Sequence, residues 1–173
     1  MGYIDFIGKV HGSTKRDYVG RVTADDKAEC AIIAKQFGYD FFDGDRKYGY
    51  GGYHYDGRWR KVAKELADYY QLKPGQRVLD VGCGKAHLLY ELMQIVPGIE
   101  VVGVDLSEYA ITHTMKEIEP YLIQGTAQDL PFEDNSFDLI ISLNALHNLK
   151  IFDLKKAITD IQRISKGNSY IVV

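Results

Sequence analysis

Arg77-Val78-Leu79-Asp80-Val81-Gly82-Cys83-Gly84-Lys85-Ala86 is the stretch whose reading decides the fold. Residues 78–81 form a short apolar run interrupted only by Asp80, the pattern of a buried strand. The run breaks on Gly82 and Gly84 and continues as His87-Leu88-Leu89-Tyr90-Glu91-Leu92-Met93, a helical segment. A strand that turns through glycines into a helix leaves free backbone N–H groups beside a cleft at the strand's carboxyl end. Nucleotide-like ligands sit there in open α/β sheets. Glycines in the turn allow the ligand to approach the backbone with no Cβ in the way.

Spacing separates the cofactor classes that use such a turn. A dinucleotide G-x-G-x-x-G pattern needs glycine at position 87, where this chain has His87. The tighter G-x-G-x-G pattern needs it at position 86, where Ala86 is one methyl larger. Asp80 lies two residues before the first glycine, and Asp105 ends the next strand, read over 101–105. On these residues the chain resembles the class I S-adenosylmethionine-dependent methyltransferases, whose first motif reads close to LDVGCGxG. The resemblance runs from about Pro74 to Val173. It implies an α/β fold, a doubly wound, mostly parallel Rossmann-like sheet with strands ordered 3-2-1-4-5 and an N-terminal helical and loop extension.

The rest of the chain alternates as such a sheet requires. The pattern predicts helices over 87–95, from an N-cap at Ser107 to just before Pro120, and over 153–164. It predicts further strands over 121–123, 137–143 and 169–173. The resembled family adds two more strands in the order 3-2-1-4-5-7-6. The expectation is therefore a chain truncated after strand five, or a partner, such as a second copy, on that edge.

Residues 1–72 read differently and make up the expected N-terminal segment, with the cofactor domain over 73–173. Thr23 offers an N-cap with Asp26 three residues on, and Ala28, Ile32 and Ile33 could share a helix face ending near Gly38. Five of the 13 tyrosines fall between Tyr39 and Tyr55, interleaved with glycines that argue against a regular helix. Two readings stand for this block: an unstructured lead-in, or a lid whose Tyr48, Tyr50 and Tyr53 close over a ligand while Arg58 meets a carboxylate. Trp59, Val62, Ala63, Leu66, Tyr69 and Tyr70 then follow helical spacing.

Composition bounds the function. A net charge of −3 and a pI near 5.9 speak against a binder of nucleic acid through its backbone. The charge divides as +2 over residues 1–73 and −5 over 74–173. Two separated cysteines, Cys30 on a helix face and Cys83 in the glycine turn, suit a reducing cytoplasm and no metal site. No apolar run is long enough to cross a membrane, and the first residues lack a signal-peptide core and the hydroxyl at position 6 of a myristoylation signal.

The resemblance assigns roles residue by residue, with S-adenosyl-L-methionine as cofactor. Gly82, Cys83 and Gly84 lie around its methionine end. Asp80 orients the loop and reaches the ammonium through water, two compatible roles. Asp105 accepts hydrogen bonds from the ribose hydroxyls, and Leu106 lies along the adenine. The run Gly125-Thr126-Ala127-Gln128-Asp129-Leu130-Pro131-Phe132, with Asp134-Asn135-Ser136-Phe137-Asp138, resembles the family's GDAxxLPFxDxSFD. The acid that takes the adenine amino group there is Thr126 here. Ala127 offers its N–H to the ring, Gln128 is a nearby polar candidate, and Asp129 is either another or a helix cap. Asn144 falls where the family's strand-four loop faces the methyl. His147 is either a general base or a packed histidine. His87 and His113 read as surface or packing residues. The expected activity is methyl transfer to an O or N of a small metabolite. A non-catalytic binding or scaffold protein is the alternative, and a nicotinamide-dependent oxidoreductase comes third.

Overall fold

The structure, a computed structural model, describes residues 4–8 and 26–173. These divide between two compact units, Met1–Arg58 and Trp59–Val173.

In the first unit, α1 spans Lys27–Ala34, and Asp26 is its N-cap, its Oδ1 accepting from the amides of Ala28 and Glu29. Thr23, expected as the cap, lies outside the described residues. The expected apolar face is not buried: Ile32 is 67% exposed. A short helix, α2, spans Tyr39–Phe42, inside the block whose glycines argued against one. Its aromatic side chains begin a cluster. Phe42 is buried and stacks on Tyr50 at 5.8 Å, and the Tyr50 and Tyr53 rings lie 4.5 Å apart. Clustering of this kind orders a Tyr/Gly-rich chain that has little regular hydrogen bonding of its own.

The second unit opens with α3, Arg60–Tyr70, which buries Val62, Ala63, Leu66 and Ala67. Tyr69, expected on that face, is 46% exposed, and Ala67 takes the buried place. The sequence reading divides the chain at 72/73, whereas this helix lies in the second unit and packs on the helix over His87–Ile95. Strands β1 (Arg77–Val81), β2 (Glu100–Asp105), β3 (Leu122–Gln124), β4 (Leu139–Leu143) and β5 (Ser169–Val172) pair in parallel in the order β3-β2-β1-β4-β5. The order and direction are those the resemblance implied. Helices α4 (His87–Ile95), α5 (Glu108–Thr112) and α6 (Ile151–Ile164) are the crossovers.

Alternation along β1 and β2 sorts the two faces. Leu79, Val81 and Val104 join Ile140, Phe137, Ala157, Ile161 and Ile164 in one apolar cluster beneath α6. The opposite face carries Asp80 paired in register with Gly103. A Cβ on Gly103 would stand 2.7 Å from Cys83 Sγ and 3.1 Å from Leu89 Cδ1, so its absence lets α4 and the glycine turn settle on the sheet.

Several element bounds differ from expectation. Helix α5 stops at Thr112 instead of reaching Pro120: the His113 N–H still bonds back to the Tyr109 carbonyl, but the backbone leaves the helix there, with φ −115°. Strand β3 is shifted by one residue, since a 3-10 turn, Glu119–Tyr121, takes the tyrosine. Phe137 lies outside β4 and makes an isolated parallel bridge with Ser165.

Candidate functional site

The site is built where β1, β2 and β4 end. After Val81 the chain turns toward β2, and the Val104 carbonyl accepts from Gly82 N at 2.7 Å and Cys83 N at 3.2 Å. Gly82 and Gly84 take left-handed backbones, with φ of 80° and 54°. At Gly82 the strand-four loop leaves no alternative, because a Cβ would overlap the Cβ of Ala145. That loop, which follows Asn144, therefore lies against the glycine turn.

Ala86 also adopts a left-handed backbone, φ 54°, and is wholly buried. Its methyl is accommodated at the position where the tighter glycine pattern has hydrogen. The strain of a left-handed L-residue is about 1 to 2 kcal/mol. Helix α4 starts directly after it, without a side-chain cap.

Asp105 ties the parts together. Its Oδ2 accepts from Gly84 N at 2.6 Å and its Oδ1 from Ser107 N at 2.8 Å. One carboxylate thus holds both the glycine turn and the start of α5. Burial raises its pKa, and the amides of Ser107, Gly84 and Leu106 act against that rise. Both oxygens keep lone-pair capacity beyond these two bonds. Beside it, Leu106 is 55% exposed, an apolar surface at the strand end.

Asp80 shares that face and is buried, with its Oδ1 lacking any hydrogen-bond donor. Burial, and then the charge of Asp105, push its pKa from 3.8 up to about 7. Burial also holds the Cys83 thiol far above its ordinary range, which leaves it a neutral packing group. No group of three or more possible metal ligands forms among the described residues.

From β3 the chain continues beside the end of β2, with Gly125 N donating to the Asp105 carbonyl at 3.0 Å. Thr126 is exposed, Ala127 is half-buried against the apolar cluster, and Gln128 Oε1 is buried without a donor. Asn144 is exposed with φ 52°, and its N–H donates to the Val172 carbonyl at 2.8 Å. His147 sits in a 3-10 turn, Leu146–Asn148, and is exposed, so the packed alternative does not describe it. His87 is buried at the start of α4, and His113 is exposed and stacks on Tyr109 at 3.9 Å.

The second unit therefore gathers Asp80, Gly82, Cys83, Gly84, Asp105, Leu106 and the 125–128 segment at one end of the sheet, with Asn144 and His147 in the adjoining loop. Tyr48, Tyr50, Tyr53 and Arg58 belong to the first unit. There the Tyr53 N–H donates to Asp43 Oδ1, and Arg58 is bound by Asp56 at 2.6 Å. Sequence reasoning missed two further contributors. Ser142, fully buried in β4, donates its hydroxyl to the Val81 carbonyl at 2.8 Å. The Lys85 carbonyl, in the glycine turn, accepts from Thr114 Oγ1 at 2.6 Å. A lone hydroxyl inside the apolar run Ile140-Ile141-Ser142-Leu143 was the only trace of the first.

A parallel doubly wound sheet, a glycine turn opening a helix and an acid ending β2 define a nucleotide-type cofactor site. The methyltransferase-domain family profile matches residues 79–173, and the chain belongs to that family. A demethylmenaquinone methyltransferase of Staphylococcus carnosus is 38% identical over 116 residues, 62% of this chain and 45% of that protein. One from Desulfitobacterium hafniense is 34% identical over 125 residues, 68% of this chain and 47% of the relative. The chain spans about half the length of the curated relatives it matches. Among solved structures, the YcgJ protein of Bacillus subtilis is similar with a TM-score of 0.52 and 28% identity, covering 60% of this chain and 45% of that one. A SAM-dependent methyltransferase of Aquifex aeolicus shares the fold, with a TM-score of 0.52 and 19% identity over 85% of this chain and 71% of its own.

S-adenosylmethionine is the cofactor of this family's site, and the residues present fit it. An unpaired buried carboxylate oxygen at Asp80 suits a cationic amine. The left-handed Gly82 and Gly84 clear a path for close backbone contact, and Asp105 can accept from a diol.

Proposed function

We propose that this chain carries the cofactor half of a methyltransferase that moves the methyl of S-adenosylmethionine to a small-molecule acceptor. The observation that carries the reading is Asp105. It anchors the left-handed glycine turn at the strand ends and retains acceptor capacity facing the same end of the sheet. When bound, the cofactor supplies a sulfonium methyl with a neutral thioether as leaving group.

Gly82, Cys83 and Gly84 would flank the methionine end and Asp80 would take the ammonium charge. Asp105 would hold the ribose, and Leu106, Thr126, Ala127 and Gln128 would surround the adenine. Asn144 and His147 then face the acceptor. Aligning an acceptor for in-line displacement is mainly a matter of positioning. The exposed imidazole of His147 can also remove a proton from the acceptor.

Sequence reasoning favoured an O or N acceptor. The relatives' name supports a second reading, a ring carbon, because methylation of demethylmenaquinone adds a methyl to the quinone ring. Either acceptor leaves the cofactor roles unchanged.

The test is calorimetric titration with S-adenosylmethionine and S-adenosylhomocysteine, alongside Asp105→Ala. The expected result is micromolar binding that weakens at least about tenfold in the variant. Labelled methyl transfer to hydroxyl, amine and quinol acceptors then separates the chemistries. Binding with transfer to none of them would favour the non-catalytic alternative, and absence of binding would remove the methyltransferase reading.

A further inference from the structure

We propose that Asp160 and Arg163, both on α6, are positioning residues for the adenine side of the cofactor site. The inference rests on the methyltransferase reading. The 125–129 segment that would surround the adenine is thinly held by its own backbone. Gly125 N reaches the Asp105 carbonyl, and the Asp129 N to Thr126 carbonyl contact is long, at 3.4 Å.

The next residue is gripped at both its backbone groups. Leu130 N donates to Asp160 Oδ2 at 2.7 Å, and the Leu130 carbonyl accepts from Arg163 Nη2 at 3.1 Å. Arg163 Nη1 donates to the Phe132 carbonyl at 2.7 Å and to Asp134 Oδ1 at 2.8 Å. Its Nε donates to Asp160 Oδ1 at 2.8 Å, which locks the two side chains to each other. All three guanidinium nitrogens and both carboxylate oxygens are in use.

No sheet ladder or helix supplies these bonds, because residues 130–132 are irregular chain crossing the molecule between β3 and β4. Partly buried backbone groups need partners; the Leu130 carbonyl also accepts from Phe132 N at 2.8 Å, and two side chains some 30 positions away supply the rest. The planar, three-nitrogen fork makes this an arginine site: a lysine ammonium could reach one carbonyl but not hold the whole set in register.

The grip bears on recognition through Gln128, two residues upstream of Leu130. Its Oε1 is a buried acceptor with no donor. The 6-amino group of adenine is a donor, whereas hypoxanthine presents a carbonyl in its place. Holding Leu130 sets where that acceptor stands, so the clamp acts on the choice between the two bases. A brace serving only the fold would alter stability and leave that choice unchanged.

The experiment uses the full chain with Arg163→Lys and Asp160→Asn, titrated with S-adenosylhomocysteine and S-inosylhomocysteine. Amide hydrogen exchange over 126–130 is measured without ligand. In Arg163→Lys the expected outcome is faster exchange in that segment and S-adenosylhomocysteine affinity reduced about five- to tenfold, with the inosyl analogue affected less. The ratio of the two affinities then shrinks at least about threefold. Asp160→Asn, which keeps an acceptor for Leu130 N, shifts the ratio in the same direction by less, and decides the matter if Arg163→Lys does not fold. A ratio equal to that of the wild type, whatever happens to melting temperature, overturns the proposal alone. A wild-type chain that binds neither ligand overturns the methyltransferase reading and the proposal with it.

Discussion

Replacing Asp80 with asparagine separates the cost of a buried charge from every other contribution to stability. Asp80 is buried with one oxygen lacking a donor, and its pKa stands near 7 against 3.8 in an exposed chain. A carboxyl whose folded pKa is raised binds its proton more tightly when folded. Below about pH 4 both states are protonated and there is no penalty. Between about pH 4 and pH 7 the unfolded chain ionises while the folded one does not, and stability falls by about 1.4 kcal/mol per pH unit. Above about pH 7 the loss levels off at about 4 kcal/mol, a large part of the stability of a small domain.

Asparagine has nearly the same shape and no titration. Urea unfolding of the ligand-free wild type and Asp80→Asn at about pH 5 and about pH 8 should show the variant gaining about 3 kcal/mol on the wild type between the two. Taking the difference cancels groups common to both proteins, including Asp138, whose pKa is shifted downward and contributes with the opposite sign. A gap that changes by less than about 1 kcal/mol would mean that water or a cation reaches Asp80 in the folded chain. The buried-charge argument would then be wrong.

Two further substitutions probe the turn. Gly82→Ala combines a left-handed backbone with a Cβ overlapping Ala145. It should lower stability by about 2 to 3 kcal/mol and abolish S-adenosylhomocysteine binding, as read by denaturation and calorimetry. Ala86→Gly relieves left-handed strain but gives up a buried methyl and a stiffer unfolded chain. Its stability should stay within about 1 kcal/mol of the wild type with cofactor affinity retained, and a larger loss would show that the methyl has a packing role of its own.

What could be read in advance was what is written in neighbouring residues. The glycine turn, the start of α4 and the acid ending β2 are each set by a few consecutive positions, and they stand where expected. Strand order came through resemblance, because nothing local in an apolar pentapeptide names its neighbours. Helix α5 ends short of the reach that the spacing of Tyr109, Ile111 and Met115 implies, because that spacing continues past His113, where the backbone leaves the helix. The α3 face was misread at Tyr69 because spacing alone cannot tell a buried alanine from an exposed tyrosine. Ser142, Asp160 and Arg163 escaped notice for another reason: their partners lie roughly 30 to 60 positions away, and only the folded chain brings them together.

Ser142 carries a consequence of its own. Strand β4 is apolar on both faces, so sliding it one place along β1 would exchange one aliphatic side chain for another at little energetic loss. The hydroxyl removes that degeneracy. In any shifted alignment it would be sealed in the core without the Val81 carbonyl, at about 1 to 3 kcal/mol. Together with Arg77 N, which donates to Asp138 Oδ2 at 2.9 Å just before the strand, this one oxygen atom sets the phase of β4. It thereby fixes which loop residue meets Gly82, and where Asn144 and His147 come to stand.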